Sequence, residues 1–353
     1  MMSTKNFLEL ENSMADLENK SDFYKPTSFW REAAIKIADQ IKTSGVENFR
    51  NISSSLDFFV PNFGPPANGF SKNEVNSLLS FASADLKLSK KALMTLEQYL
   101  SGFFHSRSDY RVLLASDNQK KRPYLHKFNE CTFGNPVEKF QFDDRNYSRS
   151  SLNYLLGLSM LKQYIDTDSI KTVLEVGGGF GTLGEILSQG GMENIKYIDI
   201  DIPPMQHIAA EYLKTAVGHE NVLSYSTIGN EKINIPSLPM ITVLCNWQIE
   251  QLMGEVDLFV NFISFQEMEP FVVANYLSHV DRLKSKWIFL RNMREGKQKQ
   301  TANSVGVETP ILSEDYLKML KNYNLVARNV HPFGYETVDG FHSELLLLER
   351  VAQ

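Results

Sequence analysis

The sequence feature that most constrains the fold is a short apolar run that leads through a glycine cluster into a helical pattern. Residues 172–176 read Thr-Val-Leu-Glu-Val, and apolar residues recur at 183, 186 and 187, the spacing of one helix face. Between them, a turn without Cβ atoms can adopt positive φ and let a ligand lie against the backbone and the free N–H groups of the next helix. We therefore predict a nucleotide-type cofactor site rather than a packing turn. Its glycines are Gly177, Gly178, Gly179 and Gly181.

The chain after Ser150 alternates short β-branched runs with helical segments, which predicts βαβ units and a mainly parallel sheet. We expect an α/β, Rossmann-like domain over 151–353 with a seven-stranded sheet. The last two strands have no helical segment between them, so they are expected to form an antiparallel hairpin at the sheet edge. Residues 1–150 show helical spacing followed by an irregular, aromatic-rich stretch, and we expect a mostly helical accessory region that shapes the acceptor site. The predicted strands are 171–176, 195–201, 240–245, 256–262, 286–291, 325–330 and 343–349.

Composition excludes several classes of protein. The 353 residues carry 36 Lys+Arg and 42 Asp+Glu, and a net charge of −6 without a dense basic run disfavours nucleic-acid binding. Two cysteines, Cys131 and Cys245, are too few for a disulfide framework or a zinc site. No apolar run approaches the roughly 18 residues of a membrane helix, and the acidic N-terminus does not resemble a signal peptide. We expect a cytoplasmic protein without a membrane span.

The spacing of the glycines distinguishes between cofactors. A dinucleotide fingerprint, G-x-G-x-x-G/A, would require a small third residue at position 182, which is Thr182. The chain instead has G-x-G-x-G at 177, 179 and 181, preceded by Glu175. This acid-x-G-x-G-x-G pattern resembles motif I of class I S-adenosylmethionine-dependent methyltransferases. The resemblance implies S-adenosylmethionine as the cofactor, the class I methyltransferase fold, and a place for Glu175 in the cofactor site.

Polar residues that follow the second and third strands are candidates for the nucleoside part of this site. Asp199 and Asp201 lie two apart, on one face of a strand that ends about 20 residues after the glycines, where an acid can accept the ribose hydroxyls. Asp201 is the first choice and Asp199 the second; an acid that only caps the next helix is the alternative. After the third strand, Asn246 or Gln248 could bond the adenine edge and Trp247 could stack on the ring. A core tryptophan is an equally good interpretation of Trp247.

The fourth strand leads into Ser-Phe-Gln-Glu-Met-Glu-Pro at 264–270, a loop that lines the ligand crevice of such sheets. Ser264 is therefore assigned to the cofactor site. This segment, the glycine motif, Asp-Ile-Pro-Pro at 201–204 and Asn-Met-Arg-Glu-Gly at 292–296 together resemble a bacterial family of sugar O-methyltransferases. The resemblance runs from about Gly134 to the C-terminus. It implies O-methylation of a sugar, a precursor of a bacterial surface glycan; composition and spacing do not indicate the sugar.

Methyl transfer to a sugar hydroxyl requires a group that accepts a proton. Glu267 is the leading candidate by position, with Gln266 orienting the substrate, although Glu267 as a helix N-terminal acid is the alternative. His331 and His342 flank a loop expected on the cofactor side and are further candidates for the base, with surface or packing roles as the alternative. Tyr147 and Arg291 are candidates for acceptor binding, and Arg149 is a candidate for the acceptor wall. Asp143-Asp144 and Glu267-x-Glu269 are not diagnostic of a metal, and we predict none.

Three other functions stay open at this point. The chain could methylate a non-sugar small molecule, it could be an NAD-dependent dehydrogenase, or it could bind the cofactor without catalysis, since fold alone does not determine function. Small-molecule or carbohydrate acceptors are the expected partners. A homodimer is common for this kind of fold, but no residue argues for one.

Overall fold

The computed structural model describes residues 7–64, 71–192, 194–225, 231–302 and 304–351. The helices of these residues are α1 (Leu8–Glu18), α2 (Arg31–Ser44), α3 (Ser53–Phe58), α4 (Lys72–Ala84), α5 (Lys90–Leu100), α6 (Phe103–Ser116), α7 (Arg149–Tyr164), α8 (Thr182–Gln189), α9 (Met205–Val217), α10 (Pro270–Arg282) and α11 (Ser313–Met319). The strands are β1 (Phe140–Phe142), β2 (Arg145–Tyr147), β3 (Thr172–Val176), β4 (Lys196–Asp201), β5 (Val222–Ser224), β6 (Ile233–Asn234), β7 (Ile241–Cys245), β8 (Leu252–Met253), β9 (Leu258–Phe262), β10 (Trp287–Met293), β11 (Tyr323–Asn329), β12 (Tyr335–Glu336) and β13 (His342–Arg350).

The described strands build a nine-stranded main sheet in the order β11-β13-β10-β9-β3-β4-β7-β5, with β12 paired to β13. The pairs between β10 and β5 along this order are parallel, whereas β13 is antiparallel to both β10 and β11. Strands β4, β7 and β5 lie on one side of β3, and β9 and β10 lie on the other. The direction in which successive strands are added to the sheet therefore reverses between β3 and β9. The α/β, Rossmann-like class predicted from the sequence is confirmed.

Two details of the sheet differ from the prediction. Short β5 and β12 bring the strand count to nine. The last two long strands, β11 and β13, do form the expected antiparallel hairpin at the sheet edge, but the strand that is antiparallel to its neighbours in the sheet, β13, is the inner one and not the edge strand. In β13, residues 343–348 are all buried, whereas most residues of β11 are exposed and few are buried. An unbroken apolar run, Leu345–Leu348, is typical of a strand covered on both faces, and this explains the inner position of β13.

Helices cover both faces of the sheet. Because side chains alternate along each strand, neighbouring residues of one strand pack against different helix layers. Val173 of β3 and Val243 of β7 pack on one face against α2, α7, α8 and α9. Leu174 and Leu244, their sequence neighbours, pack on the other face against α10 and α11. The carboxyl ends of the strands between these layers form the edge on which a ligand crevice is expected.

The described part of residues 1–150 consists of helices and loops with one small hairpin, β1–β2. Its helix α2 buries Ala33, Ile37 and Ile41 in the same apolar cluster as the sheet and ends at Gly45, where φ is +84°. The helical region therefore packs directly on the sheet. A domain boundary at residue 150 stays a prediction. None of the helices in the described part of the chain has the length and apolar composition needed to span a bilayer.

A buried ion pair attaches α7 to the loop that follows α6. Lys162 Nζ lies 2.6 Å from Asp117 Oδ1, and the two side chains are 0% and 4% exposed. Lys162 also donates to the carbonyl of Pro123 at 3.0 Å. Burial lowers the pKa of Lys162, and the neighbouring Asp117 opposes that shift. The pair therefore fixes how the helical region meets the sheet.

We expect Lys162→Met to lower the free energy of unfolding by about 3–5 kcal/mol, because it leaves Asp117 buried without its counter-charge. Urea denaturation measures this loss. The double variant Lys162→Met/Asp117→Leu is expected to recover most of it, since both charges are then replaced by apolar groups. The matched control is Lys284→Met, which breaks an exposed pair with Glu255 and should cost far less. Equal losses in the two single variants would contradict the prediction.

Candidate active site

A cavity of about 350 Å³ opens at the carboxyl ends of β3, β4 and β9. Sites for small molecules range from about 300 to 1,000 Å³. The sheet side of the wall consists of Gly177, Gly178, Gly179, Phe180, Thr182, Asp201, Ile202, Met205, Phe262, Ile263, Ser264, Glu267 and Met268. The opposite side consists of Trp30, Phe58, Phe59, Val60, Pro61, Asn62, His105, Asp109, Arg149, Ser150, Asn153, Tyr154 and Tyr335. The cavity thus joins the glycine turn to residues that lie far from it in sequence.

The glycine turn needs its glycines for two different reasons. Gly177, Gly179 and Gly181 have φ of +73°, +64° and +89°, a region that favours glycine. A Cβ on Gly177 would lie 2.0 Å from Ser264 Oγ. By contrast, no described atom lies within 4 Å of a Cβ built on Gly179. Gly177 is therefore required by close packing, whereas the open side of Gly179 leaves room for a ligand against the backbone.

The acid at the end of β4 holds this turn in place. Gly179 N–H donates to Asp201 Oδ2 at 3.1 Å, and Ile202 N–H donates to Oδ1 at 2.7 Å. Asp201 lines the cavity, and burial raises its pKa to about 7. Asp199 is fully buried below the turn, where a Cβ on Gly178 would lie 2.5 Å from its Oδ1. Of the two acids, the cavity wall includes Asp201 but not Asp199.

A third carboxyl, Glu175, lies behind the turn instead of in the cavity wall. Tyr154 and Tyr197 donate their hydroxyls to its two oxygens at 2.7 and 2.5 Å. Burial raises the pKa of Glu175 to about 7, although the two hydroxyls oppose the shift. Burial, then Glu175 and Asp201, raise the pKa of Asp199 well above its usual value. Glu175 therefore ties β3 to β4 and α7, and supports the turn from below.

The three candidates for adenine binding are buried after β7 and lie outside the cavity wall. Asn246 donates to the carbonyl of Tyr24 at 2.6 Å, Gln248 Oε1 accepts a backbone N–H at 3.0 Å, and Lys20 Nζ lies 5.1 Å from the Trp247 ring centre. Among the described residues, Asn246 Oδ1 and Gln248 Nε2 are buried polar atoms without a hydrogen-bond partner. One acceptor and one donor thus stay unsatisfied here, beside the segment that carries Tyr24.

In the loop after β9, two neighbouring candidates have different surroundings. Ser264 lines the cavity beside Gly177. Gln266 is buried, and its side-chain Oε1 accepts the backbone N–H of Met293 at 2.8 Å. The backbone N–H of Gln266 donates to Asn292 Oδ1 at 3.1 Å. The structure therefore places Gln266 against the end of β10, where it fastens the loop, and not in the cavity wall.

Glu267 lines the cavity, but both of its carboxylate oxygens are engaged. Trp30 Nε1 donates to Oε2 at 3.0 Å, and Lys297 Nζ lies 2.5 Å from Oε1. Neither oxygen is therefore free to accept the proton of an acceptor hydroxyl without giving up one of these contacts. Glu267 joins the start of α2 to the loop after β10, a role that its position in the sequence did not indicate.

The two acceptor-binding candidates lie behind the cavity wall. Arg291 is fully buried on an inner strand, donates to the carbonyl and Oδ1 of Asn153 and to Ser343 Oγ, and lies 5.3 Å from the Tyr335 ring centre. Asn153 and Tyr335 line the cavity, so Arg291 contacts residues of the cavity wall but is not part of the wall itself. Tyr147 is buried in an aromatic cluster beneath α6.

The loop between β11 and β13 reaches the cavity through a residue that the sequence did not single out. His331 is exposed. His342 Nδ1 lies 2.6 Å from Glu295 Oε1, and its backbone N–H donates to the same carboxylate at 2.9 Å. Neither histidine belongs to the cavity wall, whereas Tyr335 from the same loop does. The expectation that the loop falls on the cavity side therefore holds for the loop but not for its histidines.

Two polar residues of the cavity, His105 and Asp109, were missed by the sequence analysis, whereas Arg149, beside Tyr147, was a candidate for the acceptor wall. His105 and Asp109 both line the cavity, with Nε2 of His105 3.6 Å from Oδ2 of Asp109. Arg149 pairs with Glu138 at 2.5 Å and donates to the carbonyl of Asn62 at the same distance. The i, i+4 spacing of His105 and Asp109 is a local signal of their proximity. Nothing local indicates that α6 faces the glycine turn.

The described residues contain no group of three or more side chains suited to hold a metal ion, and the expectation of a metal-free site stays a prediction.

The chain matches no family model, and no curated protein is similar to it in sequence. Solved structures with a similar fold include a magnesium protoporphyrin IX methyltransferase from Synechocystis PCC 6803 with bound S-adenosylhomocysteine, at 14% identity and a TM-score of 0.38 over 57% of this chain and 84% of that chain. A methyltransferase dependent on S-adenosylmethionine from Aquifex aeolicus is similar at 16% identity and a TM-score of 0.37, over 57% of this chain and 94% of that chain. Similarity at this level does not establish a shared activity.

We expect the stability of the protein to fall as the pH rises from about 5 to 7.5. Glu175 has a pKa of about 7 in the folded protein, against about 4.3 in an unfolded chain, so the folded state binds more protons across this window. The free energy of unfolding must therefore decrease with rising pH.

Glu175→Gln tests this, because it keeps an oxygen for one tyrosine and removes the titration. Urea denaturation at pH 5 and 7.5 should show a smaller pH dependence for Glu175→Gln than for the unaltered protein. The exposed-acid variant Asp339→Asn is the control and should keep the full dependence. An unchanged pH dependence in Glu175→Gln would contradict the assignment of this proton to Glu175.

Proposed function

We propose that this chain transfers a methyl group from S-adenosylmethionine to a hydroxyl of a sugar, and that the sugar is a precursor of a bacterial surface glycan. The observation that carries the proposal is the cavity itself. It joins a glycine turn and a strand-end acid, suited to a nucleoside cofactor, to a chamber of aromatic and polar residues from the helical region, α7 and β12. The sugar as acceptor rests on the sequence resemblance and on the chemistry of this chamber.

The residues at the sheet edge fit S-adenosylmethionine. The open side of Gly179 admits a ligand to the backbone, and Asp201 has lone pairs left for ribose hydroxyls after accepting two backbone N–H groups. Asn246 and Gln248 are buried outside the cavity wall, so the fit to the cofactor rests on the glycine turn and Asp201. When bound, the cofactor supplies an activated sulfonium methyl group. The turn has no phosphate to neutralise, which agrees with its lack of a basic residue.

The chamber opposite the turn suits a carbohydrate. Trp30, Phe58 and Tyr335 supply aromatic surface for the C–H faces of a sugar ring, while Asn62 and Asn153 supply amides for its hydroxyls. Recognition sites for small molecules commonly combine such apolar walls with a few polar groups. The helical region therefore contributes part of the acceptor side of the site, together with Asn153 of α7 and Tyr335 of β12.

Calorimetric titration with S-adenosylhomocysteine tests the cofactor assignment. We expect micromolar binding by the unaltered protein, and at least a tenfold weaker affinity for Asp201→Ala, because the ribose loses a charged acceptor and the turn loses its anchor. Asp339→Ala, in the exposed loop after β12, is the control and should bind normally. Melting curves verify that each variant is folded.

The acceptor assignment needs a second assay with labelled S-adenosylmethionine. UDP- and dTDP-linked hexoses should accept the label, whereas simple phenols and amines should not. No binding of S-adenosylhomocysteine would refute the methyltransferase proposal as a whole. Transfer to a phenol or an amine alone would refute the sugar while leaving the cofactor assignment intact.

A further inference from the structure

Helix α6 carries two ionisable residues into the acceptor half of the cavity. His105 and Asp109 are one turn apart, so their side chains lie on the same face of α6. The His105 side chain is 40% exposed, that of Asp109 is 26% exposed, and their nearest ring nitrogen and carboxylate oxygen are 3.6 Å apart. An imidazole that is reached from the cavity, with a carboxylate close enough to orient it, is an arrangement found in general-base catalysis.

Three other ionisable groups of the cavity wall have firm partners. Glu267 is held by Lys297 and Trp30, and Asp201 accepts two backbone N–H groups. Arg149 is paired with Glu138 and cannot act as a base. His105, by contrast, has Asp109 as its only ionic contact among the described residues. Of these groups, the His105 imidazole is therefore the one left accessible to an acceptor in the cavity.

Positive charges near Asp109 offset part of the effect of burial on its pKa. Burial raises the pKa of Asp109, while the charges of His105, Arg291 and Arg149 oppose that shift. Arg291 is fully buried, and it donates hydrogen bonds to neutral oxygens of Asn153 and Ser343. Its charge is thus not neutralised by those contacts. The Asp109 carboxyl lies where it can interact with an imidazolium formed on His105.

We propose that His105 is the catalytic base of the methyl transfer and that Asp109 is its positioning residue; this rests on the function proposed above. The acceptor hydroxyl oxygen forms its bond to the methyl carbon as the carbon–sulfur bond breaks, with that electron pair remaining on sulfur. The hydroxyl proton passes to a ring nitrogen of His105, and later from the imidazolium to water. An aliphatic hydroxyl is a weak acid, so this help is needed for a sugar and is nearly dispensable for a phenol.

His105→Gln is expected to lower kcat about 100-fold or more with UDP- or dTDP-linked hexoses as acceptors. The KM for S-adenosylmethionine and the affinity for S-adenosylhomocysteine should not change, because His105 lies at the acceptor end. The unaltered enzyme should lose activity on acidification as the imidazole becomes protonated, and His105→Gln should lack this acidic limb. Asp109→Asn should lower kcat by a smaller factor and keep the limb.

Two comparison variants make the test specific. His219→Gln changes an exposed histidine after α9 and should behave like the unaltered enzyme. Glu267→Gln should keep the acidic limb. A near-normal kcat and an intact acidic limb in His105→Gln would overturn the proposal, and loss of the limb in Glu267→Gln instead would assign the base to Glu267. Because S-adenosylhomocysteine binding is measured on the same preparations, failure of the base assignment is distinguishable from failure of the cofactor assignment.

Discussion

The cofactor end of the cavity depends on carboxyl groups buried beneath the glycine turn. Asp201 accepts the backbone N–H groups of Gly179 and Ile202 at 3.1 and 2.7 Å. Glu175 accepts the hydroxyls of Tyr154 and Tyr197. Buried polar groups are costly unless such donors satisfy them. The turn therefore keeps its shape through a network that joins β3, β4 and α7, and the permissive backbone of glycine lets the chain adopt it. A ligand that meets the open side of Gly179 meets a surface already fixed before binding.

The helical region completes the site because it is built into the same core as the sheet. Ile37 and Ile41 of α2 share an apolar cluster with residues of β3 and β7. At the start of α2, Trp30 donates to Glu267, which Lys297 also contacts. The acceptor half of the cavity is thus positioned by packing and by hydrogen bonds to the strand-end loops. This is consistent with a site whose two halves have a fixed separation, as alignment of an acceptor oxygen with a methyl carbon requires.

The sequence was informative where the signal is local. The glycines, the strand before them and the acids two apart at the end of β4 form one short pattern, and the structure has them at one edge of the sheet. Long-range contacts were not readable in this way. Glu267 is near Trp30, Gln266 turns to the backbone of Met293, and Arg291 points to Asn153, because these partners are brought together only by the folded sheet. The inner position of β13 was indicated by its leucine run, which fits a strand covered on both faces better than an edge.

The division of the site between the two parts of the chain explains why the sheet edge offers no free base. Acids at strand ends serve the turn and the loops: Asp201 is bound by backbone amides, and Glu267 by a lysine and an indole. A base must be unoccupied in the resting site and near its acceptor, so it has to come from the element that also shapes the acceptor chamber. Helix α6 meets both conditions, since His105 faces the cavity and Asp109 backs it one turn away. Changes in α6 and the 58–62 segment could then alter the acceptor without disturbing the cofactor end, because neither segment contributes to the glycine turn or its buried acids.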